Sequence, residues 1–164
     1  MTTPELHRPL AAERVGPDGL DVTVHASETE CAALAKRMQL PAVHALECSF
    51  RLTRDAADSI AVAGYLHAQV VQTCVVTAED FETTVEEPFA LRFVPAGQET
   101  DDPDPESVDE IPFTNGLLDL GEAAAEQLGL ALDPYPRMPG AELPAAAAGE
   151  QPHPFAALGG KKPR

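Results

Sequence analysis

The chain has 164 residues, with 27 acidic side chains against 11 basic ones, a net charge of −16, six phenylalanines, two tyrosines and no tryptophan. That length suits one domain around one core, and no run of 18 or more apolar residues is present to cross a membrane as a helix. Three widely spaced cysteines fit reduced thiols in the cytoplasm better than a disulfide framework, and the first residues lack the charged-then-apolar layout of a secretory signal.

Residues 5–13 and 20–26 read as strands around a turn at Gly16-Pro17-Asp18-Gly19. Ser27 then opens a helix, with Glu30 completing a Ser-x-x-Glu capping box. Glu28 and Glu30 sit at its positive end, and Lys36 and Arg37 at its negative end. Cys31, Leu34, Ala35 and Met38 share one face, and Pro41 ends the element.

The middle of the chain has the two-residue period of half-buried strands. Leu46, Cys48, Phe50 and Leu52 alternate with Glu47, Ser49, Arg51 and Thr53. Ile60 to Val76 predicts a longer strand with Ile60, Val62, Leu66, Ala68 and Val70 on one side, and Gly64 at a bulge or bend in that row. Phe81, Thr83 and Val85 alternate again, as do Phe89, Leu91 and Phe93. Strands this close, joined by short polar turns, predict an α+β fold. It is built on an antiparallel meander of about five to seven strands with two main helices. The inward rows fit either a partly closed barrel or a sheet packed under the helices, and pattern alone does not choose.

Gly97 to Glu110 has no hydrophobic period and is expected to be a mobile acidic loop within a domain spanning 1–143. The Ala/Pro/Gly-rich stretch 144–164 is expected to be a disordered tail, with Phe155 and Leu158 as its large apolar residues and a docking motif for a partner.

Between loop and tail, Leu118 to Arg137 predicts the second helix. Asp119 caps it, and Glu122, three residues on, is placed to reach back to the capping residue's amide. Leu120, Ala124, Leu128 and Leu132 form an apolar stripe, with Glu122, Glu126 and Asp133 mostly outside it. Pro134 and Pro136 stop the helix and hold an extended exit around Tyr135.

No catalytic, cofactor or metal site is expected. His67 and Cys74 lie an odd number of residues apart on one predicted strand and so face opposite ways. His44 and Cys48 share a face but are separated by roughly 13 Å of strand. Cys31, Cys48 and Cys74 are too scattered for a structural zinc site, and Cys74 reads as a small residue packed on its strand. Phosphate-binding loops are absent. The bases are dispersed, although Lys36, Arg37, Arg51 and Arg54 are candidates to converge in space.

Charge is concentrated. Glu79 to Glu122 holds 14 acids and one base, −13 of the total −16. A field of that sign repels phosphate backbones and attracts basic partners.

Several segments, taken together and in order, resemble the YceD family, named for accumulation of large-subunit ribosomal RNA, in its alphaproteobacterial form. They are Glu30–Arg37 (ECAALAKR), Gln72-Thr73-Cys74-Val75-Val76-Thr77, Glu87-Pro88-Phe89 leading to Arg92–Pro95, LDLGEAAAEQLGLALDPYPR at 118–137, and Pro154–Leu158. Gln72, Thr73, Cys74, Thr77, Asp119, Leu120, Gly121, Glu122, Glu126, Gln127, Pro134 and Pro136 carry the motif positions. Many bacterial relatives have a second cysteine where this chain has Thr77, so a metal function of such a pair would not carry over.

The resemblance implies a cytoplasmic, non-enzymatic ribosome biogenesis factor with no membrane role. Combined with the charge, it points to binding of a basic ribosomal protein or assembly factor. The residues expected to serve are Asp101, Asp102, Asp104 and Glu106 of the loop, Tyr135 and Arg137 of the exit, and Phe155 and Leu158 of the tail. The alternative is a module binding precursor large-subunit ribosomal RNA directly.

Overall fold

The computed structural model describes residues 4–55, 58–99 and 108–141. The predicted tail lies outside them, as does most of the predicted acidic loop. In chain order the elements are β1 (Pro9–Ala11), a 3-10 turn (Ala12–Arg14), β2 (Leu20–His25), α1 (Glu28–Met38), β3 (Ala42–Arg54) and β4 (Ile60–Thr73). They continue as β5 (Asp80–Pro95), β6 (Asp109–Phe113), β7 (Leu117–Asp119) and α2 (Leu120–Ala131).

Five strands form one open sheet in the order β2-β3-β4-β5-β6, and β1 pairs with β7 in a separate ribbon. The α+β reading therefore holds, and the sheet does not close into a barrel. All its pairings are antiparallel except β5 with β6, which run parallel. The inward rows of β3 and β4 are buried under the two helices, while the alternate residues face solvent.

The capping box of α1 forms as its sequence predicts. Ser27 Oγ accepts from the Glu30 amide at 3.1 Å, and the Glu30 carboxylate accepts from the Ser27 amide at 2.8 Å. The helix ends at Gln39, which turns left-handed at φ 58°, two residues before Pro41. Cys31, Leu34 and Ala35 are buried, and Met38 packs at the margin of the core.

Four strand expectations need correction. The first strand shrinks to Pro9–Ala11 and pairs with β7, because Leu6 upstream is drawn into the core and Ala12 begins a tight turn. His44 sits at a register shift between Val43 and Ala45, which turns it to solvent while Cys48 is buried; the two do not share a face. Gly64 makes no bulge. It pairs in register with Phe50 and Phe89, and a Cβ there would collide with Phe89 Cζ, so the missing side chain is the seat of the Phe89 ring. That ring meets Phe50 edge-on at 5.9 Å. Finally, the two runs from Phe81 and from Phe89 belong to one strand, since Pro88 lies where, among the described residues, no outer strand pairs with β5 to miss its amide.

The end of the predicted loop is ordered as well. Asp109 and Glu110 start β6, and Thr114-Asn115-Gly116-Leu117 turns the chain into β7, with Asn115 and Gly116 both at positive φ.

Candidate functional site

The motif at the start of α2 is a clamp. Asp119 caps the helix, its Oδ1 accepting from the Glu122 amide at 3.1 Å and from the Arg8 amide at 3.0 Å. Its Oδ2 lies 2.6 Å from His7 Nδ1. Burial pushes the Asp119 carboxyl up, but these hydrogen bonds outweigh it and leave the group below its ordinary range. Leu120 is buried and its amide donates to the Arg8 carbonyl. At Gly121 a Cβ would stand 2.6 Å from the Leu6 carbonyl oxygen, so only glycine lets the N-terminal segment lie this close.

Glu122 does not reach back to the cap as expected. Its two carboxylate oxygens accept from Arg37 of α1, each at 3.0 Å, and Arg37 also holds Glu5 at 2.9 Å. A bidentate charged pair is stronger than one bond to an amide, which accounts for the change of partner. A second such pair joins Arg8 to Glu30, with both distances 2.7 Å. Asp119, Leu120, Gly121 and Glu122 thus fasten the N-terminal segment across both helices.

A second corner gathers Gln72, Thr73, Cys74, Thr77, Pro134 and Pro136. Gln72 is buried, and its amide nitrogen donates to the Asp133 carbonyl at 3.2 Å. Thr73 donates to Asp80 across the turn at 2.8 Å. Beyond the end of α2, Pro134 and Pro136 hold the exit against that turn: the Val75 amide donates to the Pro136 carbonyl at 2.9 Å, and the Met138 amide to Cys74 Sγ at 3.4 Å. Thr77 Oγ1 lies 3.5 Å from Met138 Sδ.

Cys74 opens this turn rather than packing on the strand, because β4 stops at Thr73. It is nevertheless buried. Burial alone raises its pKa, but the Thr77 hydroxyl and the amides of Met138, Thr77 and Val76 together stabilise the thiolate and bring it to about 7. Cys48, with burial alone acting, is pushed up to about 12.

The remaining expected residues are dispersed. Tyr135 is 74% exposed and Arg137 is exposed, so the exit offers both to solvent. Glu126 is exposed on α2, and Gln127 lines a hollow between α2 and β5. Asp101, Asp102, Asp104 and Glu106, and Phe155 and Leu158, lie outside the described residues. Exposed acids do form a row at the start of β5: Glu79, Asp80, Glu82, Glu86 and Glu87.

The arginines of this set are tied to separate partners. Arg37 belongs to the clamp, Arg51 lies 3.3 Å from Asp21, and Arg54 donates to the carbonyls of Val15 and Ala12. Arg92 lies between Asp55 and Glu110, at 3.1 and 3.6 Å. Among the described residues, no three His, Cys, Asp or Glu side chains are grouped to share a metal ion. His67 lies 3.7 Å from Glu86.

The clamp pairs left no trace in the sequence, since each joins residues far apart in the chain. A signal for β7 was present in Asn115-Gly116, a strong hairpin dipeptide.

Neither the curated proteins nor the solved structures give a significant match to the chain. A family model described as large ribosomal RNA subunit accumulation protein YceD matches residues 62–160, more than half of the chain. Both corners contribute to the matched region, through Gln72–Thr77 and Asp119–Pro136, whereas Glu30–Arg37 lies upstream of it.

Proposed function

Because this chain belongs to the YceD family of large ribosomal RNA subunit accumulation proteins, we propose that it serves that process as a non-enzymatic cytoplasmic factor that holds a basic ribosomal protein or assembly factor. The observation that carries this reading is the sign and placement of charge. The window from Glu79 to Glu122 contributes −13, and five of its acids stand exposed in a row at the start of β5. Four of the arginines that could offset this field toward RNA, Arg8, Arg37, Arg51 and Arg54, are each engaged with groups of the chain itself. An acidic surface of this kind attracts a basic protein and shields it from nonspecific RNA, while repelling phosphates itself. The effect on ribosomal RNA is then indirect.

The test is a comparison of ligands with purified protein across a salt series. Basic large-subunit proteins are expected to bind, and fragments of precursor large-subunit RNA are not. RNA binding whose affinity falls with a log–log slope of about −0.7 per phosphate contact would contradict the proposal and assign direct RNA recognition.

A further inference from the structure

Among the described residues, one side of β5 is open over most of its length. β4 pairs with it from Asp80 to Phe93, whereas β6 pairs only from Leu91 to Pro95. Among the described residues, Asp80–Ala90 therefore has no strand on its outer side. A long free edge is a template for another chain, and proteins usually guard it. Here the guard is acidic, with Asp80, Glu82, Glu86 and Glu87 exposed along it. Two copies of this chain placed edge to edge repel one another, while a basic strand is attracted.

Pro88 identifies the groups that face the opening. Proline cannot donate to β4, so its pair with Tyr65 is a non-hydrogen-bonded one. By the two-residue alternation, Glu82, Thr84 and Glu86 then direct their amides and carbonyls outward. Beside this edge lies a hollow of about 220 Å³ between β5 and α2, lined by Glu87, Pro88, Phe89, Gln127, Leu130 and Ala131. Leu130 stands 72% exposed there. Free main-chain groups next to a hollow of mixed lining, with Pro88, Phe89, Leu130 and Ala131 as its apolar part, are the two parts of a strand-addition site: the first supplies affinity, the second side-chain selectivity.

We propose that the Asp80–Ala90 edge receives an extended basic segment of the partner as an added strand. Its basic side chains lie on the outer face against Glu82 and Glu86, and an apolar side chain enters the hollow beside Leu130. This rests on the reading that the partner is a basic protein, and it specifies how that partner is held.

The probe is a ten-residue peptide of alternating lysine and valine, titrated into the full chain with amide chemical shifts recorded. Its control is the same peptide N-methylated at every backbone amide, which keeps charge and side chains but cannot donate. The parent peptide is expected to bind, to shift Asp80–Ala90 and Leu130 most, and to lose at least about tenfold in affinity on methylation, the loss of several main-chain bonds. Equal binding by the methylated peptide, or shifts centred elsewhere, overturns strand addition and leaves the acidic-holder reading standing. Failure of both peptides to bind overturns strand addition and contradicts the acidic-holder reading too.

Discussion

Arg37 and Glu122 join α1 to α2 through two parallel bonds of 3.0 Å, although 85 residues separate them in the chain. Both side chains are 31% exposed, so solvent screens part of the attraction. A double-mutant cycle with Arg37→Ala and Glu122→Ala is expected to give a coupling of about 1 kcal/mol in chemical denaturation. A coupling indistinguishable from zero would mean that the pair only decorates the helix interface.

The tight approach at Gly121 predicts a larger effect. Gly121→Ala places a methyl group against the Leu6 backbone, where the distance would be 2.6 Å. The expected cost is about 1–3 kcal/mol, as for overpacking elsewhere in cores. Limited proteolysis should show faster cleavage within residues 6–14, since the N-terminal segment is what must move. An unchanged cleavage pattern would show that the segment tolerates the displacement.

Acid should weaken the other clamp. The Arg8 guanidinium, with the Ser27 amide, holds the Glu30 carboxyl down to about 2 from an ordinary 4.5. A depressed folded-state pKa means that the stabilisation is complete above the unfolded value and is lost as pH falls from 4.5 toward 2. The partly exposed pair is worth on the order of 1–2 kcal/mol after screening. Arg8→Met should remove that part of the acid dependence, seen as a shallower fall in stability over the same range.

The corner at Cys74 predicts a distinctive titration. One thiol should ionise near 7, while Cys48, pushed up to about 12, and Cys31, raised by burial, ionise later. Thiolate ultraviolet absorbance followed against pH would show that first step. Thr77→Val removes a donor to the sulfur and should move the step upward, and Cys74→Ser should abolish it.

Local physics made much of this fold legible. The α1 capping box and the alternation through β3 and β4 were all encoded within a few residues, and each formed as read. Gly64 shows where such reading stops, because the reason for glycine lies on the neighbouring strand, in the ring of Phe89. The α2 cap shows the same limit. Asp119 behaved as a cap, but Glu122 was taken by an arginine on another helix, which no local rule anticipates. The parallel pairing of β6 with β5 leaves no period in the sequence. Of the residues expected to meet a partner, Tyr135 and Arg137 are exposed. The row along β5 was visible in the sequence only as charge, and its meaning as an open edge required the strand order.

Under the proposed function the chain's direct partner is a basic protein and not RNA. A tagged pulldown from native cells, with and without nuclease, at low and moderate salt, separates the two partners. Basic ribosomal or assembly proteins that remain bound after nuclease treatment are the predicted result. Loss of every ribosomal component together with the RNA would contradict it and assign RNA recognition to this chain.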